Sequence, residues 1–309
     1  MTAPRYATLD VGTNTVLLLV AEAAGGRFVP VAERMEITRL GRGVDRTGRL
    51  DPAAIDATVS ALARFAAEAR ALGAQEIACV ATSASRDARN GAEFLSRVQR
   101  EAGLTAEIIS GDLEARLSYE AARRDLGAGS PLVVLDIGGG STEFVYGEAG
   151  RVLFARSYDV GSVRLTERHA RTDPPTAAER AQIEAALEAA FAALPAPPPG
   201  FSLVGVAGTV TTVCAVSRGV DPYDAGRVHL ARLSLAEVRR ECDRYFALPL
   251  AERKKLKGMP EKRADVIAAG ALVLERAMSR LGAGEVVVSD RGIRWGLLYH
   301  RFGQALAGA

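Results

Sequence analysis

Long apolar runs are missing from this chain. Nothing approaches the roughly 20 consecutive apolar residues that a bilayer-spanning helix needs, and the opening MTAPRYATLD lacks the charged, apolar and small-residue succession of a secretory signal. No membrane partner is expected. Cysteine is scarce too: Cys79, Cys214 and Cys242 are odd in number, far apart and without metal-type pairing. They read as reduced core thiols of a cytoplasmic protein. His169, His229 and His300 have no metal spacing and read as packing or surface residues. A charge excess is also absent, since a net charge of +2 gives no general pull toward nucleic acid. Any attraction for a polyanion has to come from local clusters.

What is present is enough apolar material for two cores, with 48% hydrophobic residues in 309. The rest of the chain is arranged around PLVVLDIGGGSTEFVY, beginning at Pro131. Leu132 to Leu135 form an apolar run of the kind that makes a buried strand, and Asp136 comes where that strand ends. Gly138, Gly139 and Gly140 let the backbone take positive φ and approach a ligand closely. Ser141 and Thr142 add hydroxyl donors. Successive amides in such a turn make an anion site suited to a phosphoryl group, with Asp136 able to hold its divalent cation. Phe144 and Val145 resume strand character, so the stretch is a hairpin. A dinucleotide fold would open a helix after its glycines, and the P-loop lysine is missing.

One such turn is also what an ordinary hairpin looks like. The pattern recurs, however: Tyr6 to Leu9 lead into Asp10, Gly12, Thr13, Asn14 and Thr15, then the apolar run Val16 to Val20. A third copy without the acid runs from Leu203 to Val206 and on through Ala207, Gly208 and Thr209. Repetition of this kind indicates duplicated units, each presenting a phosphate turn to one shared cleft.

With these motifs in hand, the chain resembles the exopolyphosphatase and guanosine pentaphosphate phosphohydrolase family of the actin-like, sugar kinase and chaperone ATPase superfamily. The resemblance covers nearly the full length. Besides the two Asp-x-Gly turns it rests on ATSASRDARN from Ala81, SGDLEA from Ser110, GSVRL from Gly161, GVAGTVTT from Gly205, RADVI from Arg263 and VSDRG from Val288. It implies an α/β protein with two ribonuclease H-like (actin-like ATPase) domains facing a shared central cleft. The domains are expected at 1–126 and 127–309, with a C-terminal helix at about 293–309 packing back on the first.

The site residues follow from both sources. Thr13, Asn14, Gly138, Gly139, Gly140, Ser141, Thr142, Gly208 and Thr209 would supply phosphate donors. Asp10 and Asp136 would position Mg²⁺, the expected cofactor. The resemblance adds Arg86, Arg89 and Arg263 as phosphate ligands and Glu143 as support for the cation or water. Alone, Arg86 and Arg89 would read as surface arginines. It also assigns the catalytic role to Glu114, which otherwise reads as a helix first-turn acid favoured by the dipole; the family's neighbouring acid is Leu113 here.

The remaining segments are read locally. A helix starts at Asp51-Pro52, another spans about Gly91 to Ala102, and Ser234 with Glu237 form a capping box. Gly127 to Pro131 reads as a hinge, and helices are expected over Ala177–Leu194, Ala264–Leu281 and Ile293–Leu306. Arg39, Arg42, Arg46 and Arg49 form either a mobile basic loop near the cleft or a solvated one. The run RKKLKGMPEKR from Arg253 is either a solvated loop or a guide for a polyanionic tail.

The function implied is Mg²⁺-dependent removal of terminal phosphate from inorganic polyphosphate, with guanosine pentaphosphate hydrolysis as the alternative. A kinase of the same superfamily and a non-catalytic sensor of alarmone or polyphosphate fit less well. A homodimer is allowed by the sequence.

Overall fold

The structure, a computed structural model, describes residues 3–127 and 130–308. Ala128 and Gly129 of the expected hinge lie outside the described residues. The chain forms two compact units. One takes the chain up to Ala121 together with the segment from Ile293 onward, and the other is Ala122–Gly292.

The first unit holds β1 (Arg5–Val11), β2 (Thr15–Ala24), β3 (Arg27–Ile37), β4 (Ala74–Ala81) and β5 (Ala106–Ile108). Their order is β3-β2-β1-β4-β5. β1, β2 and β3 are an antiparallel meander, while β4 runs parallel to β1 and β5 parallel to β4. Strand alternation sends Leu18 and Val20 to one face and Leu19 and Ala21 to the other. The first face is covered by the helix Pro52–Ala71 through Ile55, Val59, Leu62 and Phe65. That helix starts where it does because Asp51 accepts hydrogen bonds from the amides of Ala53 and Ala54, with Pro52 at its first position. The second face is covered by the helix Ile293–Phe302, which contributes Trp295, Leu298 and Phe302. Phe302 stacks on Tyr6 with ring centroids 4.6 Å apart.

The second unit holds β6 (Leu132–Ile137), β7 (Thr142–Glu148), β8 (Arg151–Tyr158), β9 (Ser202–Val206), β10 (Arg232–Ser234) and β11 (Glu285–Val288). Read from β8, the order is β8-β7-β6-β9-β11-β10. β6 to β8 are again an antiparallel meander, and β9 and β11 follow in parallel beyond β6. The plan is that of the first unit with one antiparallel edge strand, β10, added. Every residue of β6 is buried, as a central strand covered on both faces must be. Helices Ala177–Phe191, Ala207–Arg218, Leu235–Ala247 and Ile267–Leu281 supply the core around Phe144, Tyr158 and Phe191. The Ser234–Glu237 capping box is present.

Several segments differ from the sequence expectation. Ala207–Arg218 is a helix, so the Gly208 segment is a strand-to-helix junction and not a third hairpin. The expected Ala264 start is a turn that follows the 3-10 segment Glu261–Arg263, and the helix begins at Ile267. The last helix stops at Phe302 and continues as a 3-10 turn. No helix among the described residues is long and apolar enough to cross a membrane. The three cysteines are buried and unbridged.

In the first unit, the leading part of helix Gly111–Leu126 meets helix Ile293–Phe302 at Gly296, where a Cβ would stand 1.9 Å from the carbonyl oxygen of Leu117. Alanine in place of a helical glycine ordinarily gains about 1 kcal/mol. Here the contact reverses the sign, and Gly296→Ala is expected to destabilise by about 1–3 kcal/mol. Urea unfolding checks this; an unchanged or higher midpoint would show that the helices separate without cost.

Candidate active site

Asp10 is the penultimate residue of β1, and Val11 pairs with Val16 across the turn Gly12-Thr13-Asn14-Thr15. The Gly12 amide donates to the Thr15 carbonyl at 2.9 Å. The second unit repeats this closely. Asp136 is penultimate in β6, Ile137 pairs with Thr142, and the Gly138 amide donates to the Ser141 carbonyl at 3.0 Å. Gly138 is not in the left-handed region, contrary to the expectation of positive φ. Its requirement is space, because a Cβ there would come 3.1 Å from the Ser141 oxygen.

Each turn is then gripped by the chain that leaves its meander. In the first unit, Thr38 and Arg39 amides donate to the Asn14 carbonyl at 3.1 and 3.0 Å, and the Gly41 amide to the Thr13 carbonyl at 2.8 Å. In the second unit, the residues after Gly161 form the helix Ser162–His169. Its first amides are spent on the glycine turn: Ser162 donates to Gly138 O at 3.0 Å, and Val163 and Arg164 to Gly139 O at 2.8 and 3.1 Å. The Arg164 guanidinium adds a bond from Nε to Gly140 O at 2.6 Å. A trans peptide points its C=O and N–H in opposite directions. Fixing the carbonyls of Gly138, Gly139 and Gly140 toward this helix therefore turns the amides of Gly139, Gly140 and Ser141 to the opposite side. Gly41 and Gly161 make the grip possible. A Cβ on Gly41 would lie 2.3 Å from Thr13 Cγ2, and one on Gly161 would lie 2.5 Å from Gly139 O.

Asp136 faces Glu143 directly across the β6–β7 pair, whereas Asp10 faces Leu17. Glu143 is fully buried and accepts a 2.6 Å hydrogen bond from Ser157 Oγ on β8. On the other side of Asp136 lies Val206, the end of β9. Ala207 then takes φ 69° to enter its helix. Arg263, itself buried, lies on Gly208 so closely that a Cβ would be 1.6 Å from Nη1. Burial lowers its pKa to about 10, which leaves it cationic near neutrality. Thr209 sits against Gly270 and is buried.

The junction after β4 is the first unit's counterpart of the Gly208 junction, since Val80 lies beside Asp10 as Val206 lies beside Asp136. Buried Thr82, Ser83 and Ser85 follow, and the short helix Ser83–Asp87 carries Arg86. Nη1 of Arg86 donates to the Ile109 carbonyl at 2.9 Å and reaches Glu114 Oε2 at 3.3 Å. Glu114 is buried in the first turn of helix Gly111–Leu126, which Ser110 opens by accepting from the Leu113 amide with its hydroxyl. Asp112 is exposed. Arg89 lies against Gly48, and the buried Asn90 amide exchanges two hydrogen bonds with the Leu50 backbone. Both therefore bind down the arginine-rich loop, which is further anchored by buried Leu40, Val44 and Leu50 while Arg42, Arg46 and Arg49 point to solvent.

The Ppx/GppA phosphatase family model matches residues 19–305. The chain belongs to that family. Exopolyphosphatase 2 of Mycobacterium tuberculosis is 39% identical over 96% of this chain and 98% of its own length. A solved Ppx/GppA family member from Aquifex aeolicus is 34% identical, with TM-score 0.82 over 96% of this chain and 97% of that one. An exopolyphosphatase from Cytophaga hutchinsonii, at 24% identity and TM-score 0.88 over 99% of this chain and 98% of that one, shares the fold. The fold is thus the two-unit α/β, actin-like architecture of Ppx/GppA proteins.

Within this Ppx/GppA chain the expected residues fall into two sets. The first unit gathers Asp10, Thr13, Asn14, Arg86 and Glu114 on the ends of β1, β4 and β5 and the elements that follow them. The second gathers Asp136, the glycine turn and Glu143 on β6 and β7, Gly208 and Thr209 at the start of the helix after β9, and Arg263 of the Glu261–Arg263 turn against Gly208. Sequence reasoning missed Ser157, and gave no task to Gly41, Gly161 or the amides of Ser162 to Arg164. The basic run from Arg253 is less open than expected. Arg253 is buried on Asp173 at 2.9 Å, and Lys254 and Lys255 pair with Glu261 and Glu252.

Because Arg263 occupies the space over Gly208, Gly208→Ala is expected to displace the guanidinium and lower kcat/KM by about tenfold or more, equivalent to about 1.4 kcal/mol. Phosphate release under steady-state conditions measures it. Unaltered kinetics would mean that Arg263 has no part in the reaction.

Proposed function

We propose that this chain is a Mg²⁺-dependent exopolyphosphatase, which hydrolyses the terminal phosphoanhydride of inorganic polyphosphate and releases orthophosphate. The observation that carries the reading is the row of three amides at Gly139, Gly140 and Ser141, turned to one side because their carbonyl partners are bound on the other. Such a row is a preorganised anion cradle. Membership of a phosphatase family and full-length relatives named exopolyphosphatase support the choice of anion.

Phosphoanhydride hydrolysis passes through a loose transition state with charge spread over the equatorial oxygens, so holding and neutralising that group is most of the task. The amides of the glycine turn, the Ser141 hydroxyl, Thr209 and the Arg263 cation would take those oxygens. Glu114 orients a water and accepts its proton as the oxygen attacks phosphorus. The anhydride P–O bond breaks, and its electron pair stays with the shortened chain as a new terminal oxygen.

Asp136 and Glu143, paired directly across β6 and β7, are hard carboxylate donors that would suit Mg²⁺, which keeps several waters beside one or two carboxylates. When bound, the ion supplies charge neutralisation for the phosphoryl oxygens. Ser157 fixes one Glu143 oxygen and so sets where the other can point.

Phosphate release from polyphosphate and from guanosine pentaphosphate, measured in parallel with Mg²⁺ and after EDTA, tests the reading. Polyphosphate is expected to have the higher kcat/KM, EDTA to abolish turnover and Mg²⁺ to restore it. Glu114→Gln is expected to bind polyphosphate while losing about 10² to 10⁴ of the rate, the share of a general base. A higher kcat/KM on the guanosine substrate would move the assignment there, and release of neither phosphate would sink it.

A further inference from the structure

We propose that Arg86 is a positioning residue that acts through Glu114, and not a ligand of the substrate's phosphates. The inference rests on the reading of Glu114 as the group that handles the attacking water. One nitrogen of the guanidinium, Nη1, bridges the Ile109 carbonyl and Glu114 Oε2 at 2.9 and 3.3 Å. Ile109 is the residue just beyond β5, so the contact joins the strand exit to the carboxylate on the following helix.

Arg86 is itself fixed from behind. Its amide donates to the Thr82 carbonyl at 3.1 Å, and the Thr82 amide donates to the Val11 carbonyl, also at 3.1 Å. Val11 adjoins Asp10. A chain of backbone hydrogen bonds therefore runs from the end of β1 through the β4 junction to the guanidinium, and from there to the carboxylate.

The burial of the pair supports a role of this kind. The Glu114 side chain is 7% exposed against 27% for Arg86. An ionised carboxylate so enclosed is costly unless a cation or donors meet it. A glutamate also has three rotatable side-chain bonds, and a water held for in-line attack tolerates little wandering of the group that holds it. The planar guanidinium serves two acceptors in fixed directions, which a lysine ammonium on a flexible stem does not. Arg86 thus selects one rotamer of Glu114.

The test is a double-mutant cycle on the full chain with Mg²⁺, using tripolyphosphate and long-chain polyphosphate. Arg86→Met, Arg86→Ala and Arg86→Lys are made in the native chain and in Glu114→Gln. In the native background Arg86→Met is expected to lower kcat by about a hundredfold with KM changed by less than about threefold. In the Glu114→Gln background it should remove little more, because the two groups act as a unit. Polyphosphate affinity of the Glu114→Gln protein should stay within about twofold when Arg86 is also replaced. Millimolar guanidinium should restore part of the Arg86→Ala rate, and none of it in the Glu114→Gln background.

Rate losses that multiply across the two sites, or a tenfold fall in polyphosphate affinity on removing Arg86, would make the arginine a phosphate ligand and overturn the proposal. If Glu114→Gln alone keeps a near-native rate, the assignment of Glu114 fails first and Arg86 falls with it. Unfolding midpoints are followed throughout. Should Arg86→Met fail to fold, Arg86→Lys keeps the charge without the fork and must show the same coupling.

Discussion

The hydrogen bonds from the meander exits to the carbonyls of the Asp-x-Gly turns are the constraint on which the rest of the molecule depends. Without them a glycine-rich hairpin tip has many backbone states, and Gly pays more entropy than any residue to adopt one. With them, the tip has one arrangement, and that arrangement is held by the strands on both sides and by the chain leaving β3 or β8. The requirement explains glycines that no turn geometry asks for. Gly41 and Gly161 are small because the exits must pass within contact of the tips, and Gly270 is small because Thr209 fills the space beside it.

The two units execute one plan and then diverge where chemistry asks for asymmetry. Meander order, the parallel strands beyond it and the five-residue offset of the turn pairs, Val11 with Val16 and Ile137 with Thr142, are common to both. Opposite Asp10 stands an apolar Leu17; opposite Asp136 stands Glu143 with its own Ser157. Counting along β5 and β11 from their partners brings Gly111 and Ile293 to equivalent helix starts, and so Glu114 to the place of Gly296. One copy of that position carries an acid, and the other has given up its side chain to let two helices touch.

How much of this was legible in the sequence depended on how local its cause was. The Asp-x-Gly hairpins could be read because strand, turn and strand lie within about 15 residues and the alternation is strong. The Gly208 segment misled because Val210, Thr211, Thr212 and Val213 are β-branched. Yet Val210, Val213 and Cys214 also have helical spacing, and burying them in the second core decides the outcome. Arg253 and Arg263 were read with a charged, exposed run; Arg253 instead pairs with Asp173 and Arg263 lies on the bare backbone of Gly208, both distant in sequence. Ser157 could not be found by counting. Back from the Glu148–Arg151 pair, an unbroken register would set Arg156 opposite Glu143, but a bulge at Tyr146 and Gly147 shifts the ladder by one and brings Ser157 there.

The binding of the glycine carbonyls has one more consequence. A peptide group whose oxygen already accepts a hydrogen bond is polarised along its length, and its N–H becomes a stronger donor in turn. The Ser162–His169 helix therefore does more than orient the Gly138 to Gly140 peptides: its leading amides and the Arg164 guanidinium pull electron density toward themselves through each one. The positive end of that helix is relayed across a single layer of backbone and emerges as three sharpened dipoles. An anion met there would feel a helix terminus it never touches.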